Sequence, residues 1–108
     1  MYGTSKAAIL GLTRNIAAQH GKQGIRCVSI SPGVIITPVT EASLSSDEIA
    51  RSLAHHLTTR MGRPEDVANA VAFMASDAAG FITGVDLQVA GGLFSHVPNY
   101  AETQDDFN

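Results

Sequence analysis

The sequence predicts an α/β fold with a parallel sheet, incomplete as a domain. Residues 25–30 (Ile-Arg-Cys-Val-Ser-Ile) and 85–89 (Val-Asp-Leu-Gln-Val) have the composition of strands. Helical periodicity fills residues 4–20, 46–58 and the stretch that opens at Gly62-Arg63-Pro64. Strands separated by helices pair in parallel through crossovers. Two strands are too few for such a sheet, which is normally covered on both faces and has more members. The strand at 25–30 then carries an open edge, a template for pairing unless something covers it.

In the first helical stretch, Ala8, Ile9, Leu12 and Ile16 recur at helical spacing, with Leu10, Ala17 and Ala18 widening the apolar face. That width predicts burial on more than one side. Thr4 or Ser5 suits the start as a cap, and Gly21 and Gly24 bracket the stop. The strand at 25–30 ends at Ser31-Pro32-Gly33, where proline withholds a ladder donor. Val34 to Pro38, bounded by prolines, reads as a loop. Ser45 with Glu48 three residues on is a capping-box pattern, and Ile49, Leu53 and Leu57 form one stripe over 46–58. Proline at 64, with Glu65 and Asp66 at the positive end, opens the next helix, whose stripe is Val67, Val71 and Met74. Asp77 to Gly80 closes it, and Ala90-Gly91-Gly92 ends the strict alternation of 85–89. Residues 95–108 are polar and aperiodic, a flexible tail by composition.

Charge narrows the function classes. Up to residue 94 seven acids balance seven bases; the surplus of −3 comes from Glu102, Asp105 and Asp106. A near-neutral body without a basic stripe argues against nucleic acid and suits a small-molecule enzyme or an assembling subunit. The single cysteine, Cys27, excludes an internal disulfide and fits a reducing, cytoplasmic compartment. No run of about 18 apolar residues marks a membrane span, and the first residues read as helix rather than as a signal peptide.

The chemistry is concentrated in Tyr2-Gly3-Thr4-Ser5-Lys6. Side chains at i and i+4 share a helix face. A free tyrosine has a pKa of about 10, and bringing it near 7 takes roughly 4 kcal/mol. One ammonium at about 4 Å supplies about 1 kcal/mol in bulk water and about 4 at an effective dielectric near 20. Tyr2 and Lys6 therefore make a proton-transfer pair only inside a partly desolvated pocket. Elsewhere the bland readings prevail. His55-His56 points two ways on a helix and has no partner at ligand spacing, so no metal is expected. Cys27 reads as a small buried residue, and the paired acids at 47–48 and 65–66 as helix-start charges.

Tyr-x-x-x-Lys alone is common on helices, but the ordered set is specific. Tyr2 to Ala8, the 25–30 strand with Ser31-Pro32-Gly33, Thr37 after that turn, Gly62-Arg63-Pro64-Glu65-Asp66-Val67-Ala68, and Phe81-Ile82-Thr83-Gly84 leading to Gly91-Gly92 together resemble the C-terminal part of the short-chain dehydrogenase/reductase family. The resemblance covers residues 1–94 and implies the C-terminal part of a Rossmann-type doubly wound parallel sheet, with about two strands and three helices. It implies an NAD(P)-dependent oxidoreductase acting on a small carbonyl or alcohol substrate, as a homo-oligomer (dimer or tetramer) when full length. By the same resemblance, Tyr2 is the acid/base at the substrate oxygen. Lys6 lowers the Tyr2 pKa and holds the nicotinamide ribose. Pro32, Gly33, Val34, Ile35 and Thr37 lie against NAD or NADP, with the Ile35 backbone and the Thr37 hydroxyl on its amide or phosphate side. Residues 39–60 become a mobile substrate-covering segment.

The sequence departs from the family pattern in places. It holds no Gly-x-x-x-Gly-x-Gly turn and no serine or asparagine upstream of Tyr2, and Ala90 stands where the family often has aspartate. The expectation is a chain lacking the dinucleotide-binding half and inactive alone. The alternative is a non-catalytic remnant or an oligomerisation module of the same fold.

Overall fold

A computed structural model describes residues 2–95, Tyr2 by its backbone alone. The elements are α1 (Tyr2–His20), β1 (Val28–Pro32), α2 (Pro38–Ser43), α3 (Ser46–Ala54), α4 (Pro64–Ala75) and β2 (Val85–Val89), with short 3-10 turns at Gly21–Gln23 and Asp77–Ala79. Among the described residues β1 and β2 form a two-stranded parallel sheet, so the α/β class holds. No helix among them is long and apolar enough to cross a membrane. The tail expected over 95–108 lies, from residue 96 on, outside the described residues. The chain divides into two compact units, Met1–Ser31 with Asn69–Leu87 and Pro32–Ala68 with Gln88–Asn108.

In the first unit α1 already begins at Tyr2, so Thr4 and Ser5 are helical residues and not caps. It runs into the 3-10 turn Gly21–Gln23, which stops as expected: Gly24 takes the left-handed conformation (φ +84°) and donates its N–H to the Gly21 carbonyl at 3.0 Å. The expected burial of a wide apolar face is not found, since Ile9 and Leu12 are 55% and 58% exposed. The buried position is Thr13, whose hydroxyl donates to the Ile9 carbonyl at 2.8 Å and so needs no outside partner. The small core holds Met74 and Ala79.

β1 starts and ends three and two residues later than the composition of 25–30 suggests. Arg26 is diverted: its guanidinium donates to the carbonyls of Met74 (2.9 Å), Ser76 and Ile82 (both 3.3 Å). Met74 belongs to the last turn of α4, whose carbonyls have no partner within the helix. Cys27 is tied by a side chain, its N–H going to the Thr83 hydroxyl at 3.0 Å. At the other end Pro32 belongs to the strand. Gly33 donates its N–H to the Val89 carbonyl at 3.1 Å, so the neighbouring Pro32 nitrogen points away from β2 and the ladder loses nothing. Asp86 locks the pairing, its Oδ1 accepting from Ser29 at 2.7 Å and from Ser31 at 2.9 Å.

The second unit contains the helix that composition did not reveal, α2. Thr37 caps it, Pro38 takes its first turn, and Thr40 completes a reciprocal capping box. Ser45 caps α3 as expected, accepting from the Glu48 N–H at 3.1 Å. α3 ends at Ala54 and not at 58, because the Leu57 N–H is taken by the Gly91 carbonyl at 2.8 Å.

Candidate functional site

The residues expected to carry chemistry fall into two groups, one in each unit. Tyr2 and Lys6 lie on the first turns of α1, where a continuous helix sets positions i and i+4 on one face. Lys6 is half-buried. The Tyr2 side chain lies outside the described residues, so its approach to Lys6 stays an expectation.

The second group is the loop that leaves β1. A Cβ on Gly33 would stand 2.8 Å from the Cα and Cβ of Ala90, so only glycine permits that approach. Ala90, at the position where aspartate was expected from the family, is buried and closes this contact. Val34 and Ile35 follow, and Ile35 forms an isolated parallel bridge with Gly62. The Ile36 N–H donates to the Gly62 carbonyl at 2.8 Å. In a parallel bridge the flanking residues make the hydrogen bonds, so the Ile35 N–H and C=O are turned to the opposite edge of the loop. One donor and one acceptor thus stand side by side on a backbone held at both ends, the complement of a primary carboxamide.

Thr37, next in the loop, caps α2. Its Oγ1 accepts from the Thr40 N–H at 3.2 Å, while its own N–H donates to Thr40 Oγ1 at 2.7 Å. Its hydroxyl lies 3.1 Å from that of Thr40. Thr37-x-x-Thr40 was the signal for α2, hidden because a threonine replaces the usual acid or amide three residues on.

Two cavities open beside this loop. One of about 300 Å³ is walled by Val34, Ile35, His56, Gly62, Ala90 and Gly91, among others. The other, of about 390 Å³, is walled by Ile36, Thr37, Glu41, Arg60, Arg63 and Pro64, among others. Arg60 stands at both and is paired with Asp66. The hydrogen bonds from Arg60 and from the Arg63 N–H hold the Asp66 carboxyl well below the usual carboxylate range, and Asp66 in turn raises Arg60. Sequence reading had Asp66 only as a helix-start charge. Among the described residues no three His, Cys, Asp or Glu side chains are placed to hold a metal ion.

The 108 residues contain no glycine-rich turn of the spacing that cradles a dinucleotide phosphate.

Comparison with known proteins gives the same alignment of parts. A family model described as Enoyl-(Acyl carrier protein) reductase matches residues 1–94. The chain is 45% identical over 101 residues to a short-chain type dehydrogenase/reductase of Bradyrhizobium diazoefficiens, covering 94% of this chain and 36% of that protein. It is 43% identical over 98 residues to a 7alpha-hydroxysteroid dehydrogenase of Bacteroides fragilis, covering 91% of this chain and 38% of that one. It resembles the solved structure of a 4-hydroxyisoleucine dehydrogenase complexed with NADH, with a TM-score of 0.80, 36% identity, and coverage of 89% of this chain and 40% of that chain. The chain therefore spans well under half the length of the relatives it matches.

Proposed function

This chain belongs to the short-chain dehydrogenase/reductase family, and we propose that it supplies the acid/base and nicotinamide-facing part of an NAD(P)-dependent oxidoreductase acting on a carbonyl or secondary alcohol. The observation that carries the reading is the Ile35–Gly62 bridge, which leaves the Ile35 backbone donor and acceptor presented together at the carboxyl end of β1. Ligands of open α/β sheets lie outside the carboxyl ends of the strands.

The coenzyme, when bound, supplies or accepts the hydride. This chain's residues do the rest. The Ile35 backbone would hold the carboxamide of the bound coenzyme. Gly33 lets the loop sit close on Ala90, which fixes the Ile35 edge. Tyr2 gives a proton to the carbonyl oxygen in reduction and takes it back in oxidation. Lys6, one turn on, stabilises the tyrosinate by its charge and binds the ribose hydroxyls. Water must be kept out for that charge to act, because an ammonium near 4 Å is worth about 1 kcal/mol in water and about 4 in a partly desolvated site. Residues 39–60, as α2 and α3, cover the substrate.

In isolation the chain lacks a phosphate cradle, and we propose that it does not bind NADH or NADPH productively. Titration of the purified chain with either coenzyme tests this, and micromolar saturation overturns it. The oxidoreductase reading itself is tested by Tyr2→Phe in the protein that carries this chain: turnover with a secondary alcohol should fall at least about 100-fold, as for loss of a general acid/base. Unchanged turnover removes Tyr2 from the chemistry.

The exposure of Ile9, Leu12 and Phe81 favours a second component of the reading, association with further polypeptide or with another copy. We propose that the protein is a homo-oligomer. A monodisperse, cooperatively folding monomer in light scattering and thermal melting counts against it.

A further inference from the structure

His56 is 5% exposed, the one histidine among the few buried polar residues described. Its Nδ1 lies 2.7 Å from the Ser52 carbonyl oxygen, which can only accept, so Nδ1 carries the proton and donates. Its Nε2 is buried without a partner among the described residues. A buried acceptor left unpaired is costly, and the Nδ1–H bond to Ser52 offsets part of that cost. Ser52 sits in the last turn of α3, whose carbonyls lack helical partners. The His56 ring and the His55 N–H, at 3.2 Å, both serve that one oxygen.

The same residue is seated on the paired-glycine turn. The Leu57 N–H donates to the Gly91 carbonyl at 2.8 Å. Gly91 and Gly92 have φ of +58° and +78°; a Cβ on Gly91 would come within 3.0 Å of His56 Cδ2, and one on Gly92 within 2.9 Å of the Leu57 Cβ. At its other end the segment is fixed by the Thr37–Thr40 capping box, directly after Ile36 is bonded to Gly62. The hydrogen bonds described above for 38–54 are local to α2 and α3. The angle at which α3 leaves the glycine turn is thus set where His56 joins the two.

We propose that His56 is a positioning residue for the substrate-covering segment. Its Nδ1–H bond to Ser52 and its seat on Gly91 hold α3 at a fixed angle over the carbonyl or alcohol substrate. It acts on substrate capture and not on hydride transfer. The inference rests on the reading that residues 39–60 cover the substrate.

His56→Asn keeps a donor at the δ position and removes Nε2; His56→Leu keeps the bulk and removes the donor. Hydrogen exchange of the chain, followed by residue, should show amides of 46–57 exchanging at least about tenfold faster in His56→Leu, with Val28–Ile30 unchanged, and within about twofold of the parent in His56→Asn. In the active protein, His56→Leu should raise KM about tenfold with kcat little changed, and His56→Asn should restore KM. Unchanged exchange in His56→Leu, or equal loosening in His56→Asn, overturns the proposal. If His56→Leu also loses protection in β1, His56→Asn decides alone: parental protection supports the proposal and collapse overturns it. Absence of coenzyme-dependent turnover in the protein that carries this chain, with the exchange pattern as expected, removes the oxidoreductase reading and leaves the anchor standing.

Discussion

The Arg60 guanidinium donates to both carboxylate oxygens of Asp66, at 2.7 and 2.8 Å. Asp66 Oδ2 also accepts from the Arg63 N–H at 2.8 Å, so one carboxylate ties the 60–63 turn to the first turn of α4. This is half of a capping box, with the acid at the third helical position reaching back to the residue before the helix. The turn it holds contains Gly62, the partner of Ile35, so the loop that leaves β1 depends on it.

The pair predicts an acid-side dependence of stability. The Asp66 carboxyl is depressed in the folded chain below its ordinary value of about 3.9. Its contribution is therefore complete above pH 4 and is lost as pH falls through the lower folded-state value. Asp66→Asn should lower the melting temperature at pH 6, and the gap from the parent should narrow as pH is taken toward 2. A gap that stays constant from pH 6 to pH 2 refutes the assignment.

Arg26 binds the carbonyls of Met74 and Ser76 at the end of α4 and that of Ile82 before β2, which predicts that it cannot be replaced by another cation. Its planar fork reaches several acceptors at once, whereas an ammonium is a point charge on a flexible stem. Arg26→Leu should cost about 1.5–3 kcal/mol, the range for hydrogen bonds to a charged group, and Arg26→Lys should recover less than half of it. Urea unfolding measures both. Equal stability of Arg26→Lys and the parent would show that charge alone suffices.

These two residues show how far the sequence was legible. Strong local signals survived: Gly24 closing the 3-10 turn after α1, Ser45 before α3, Pro64 at the start of α4, and the bounds of the strand at 85–89 all stand where periodicity and capping chemistry put them, although Val85 is exposed and the strand does not bury one alternating face. Boundaries moved where a distant group competed for the backbone. Thr83 and Gly84 engage Cys27 and delay β1, and Gly91 takes the Leu57 N–H and shortens α3. Neither competitor is near in sequence. α2 was missed because its cap uses Thr40 in place of an acid, and six residues are too few for a periodicity to register. In the site, the Pro32–Thr37 loop could be located from its prolines and glycine. The orientation of the Ile35 backbone depends on Gly62, 27 positions on, and no local pattern encodes it. The burial of His56 was illegible for the same reason, being decided by Gly91.

Asp86 joins the strands through two hydroxyls, so its removal should be felt at Ser31, which is 4% exposed. Asp86→Leu strands that buried hydroxyl and should cost about 1–3 kcal/mol. The double substitution Asp86→Leu with Ser31→Ala removes both partners and should recover part of the loss. Denaturant melts of the single and double variants measure the coupling, and strict additivity would show that the bond contributes nothing.

The tightest constraint on the proposed coenzyme loop is Gly33, and it gives the sharpest test. A methyl group there would stand 2.8 Å from the Ala90 backbone, which cannot swing aside as a side-chain tip can. Gly33→Ala must push the loop off β2, and overpacking of this kind costs about 1–3 kcal/mol. The Gly33 N–H bond to Val89 should lengthen with it, and the Ile35 edge should shift. Gly62→Ala provides the contrast, because its nearest obstacle at 2.7 Å is the Ile35 Cδ1 methyl, the free end of a flexible side chain, and the backbone it meets, the Val34 carbonyl oxygen at 3.2 Å, need give only slightly. In the active protein Gly33→Ala should therefore weaken coenzyme binding at least about tenfold, while Gly62→Ala stays within a fewfold of the parent. Fluorescence titration with NADH or NADPH separates the two. Equal binding by Gly33→Ala and the parent would mean that the loop's close approach to Ala90 does not set the coenzyme site.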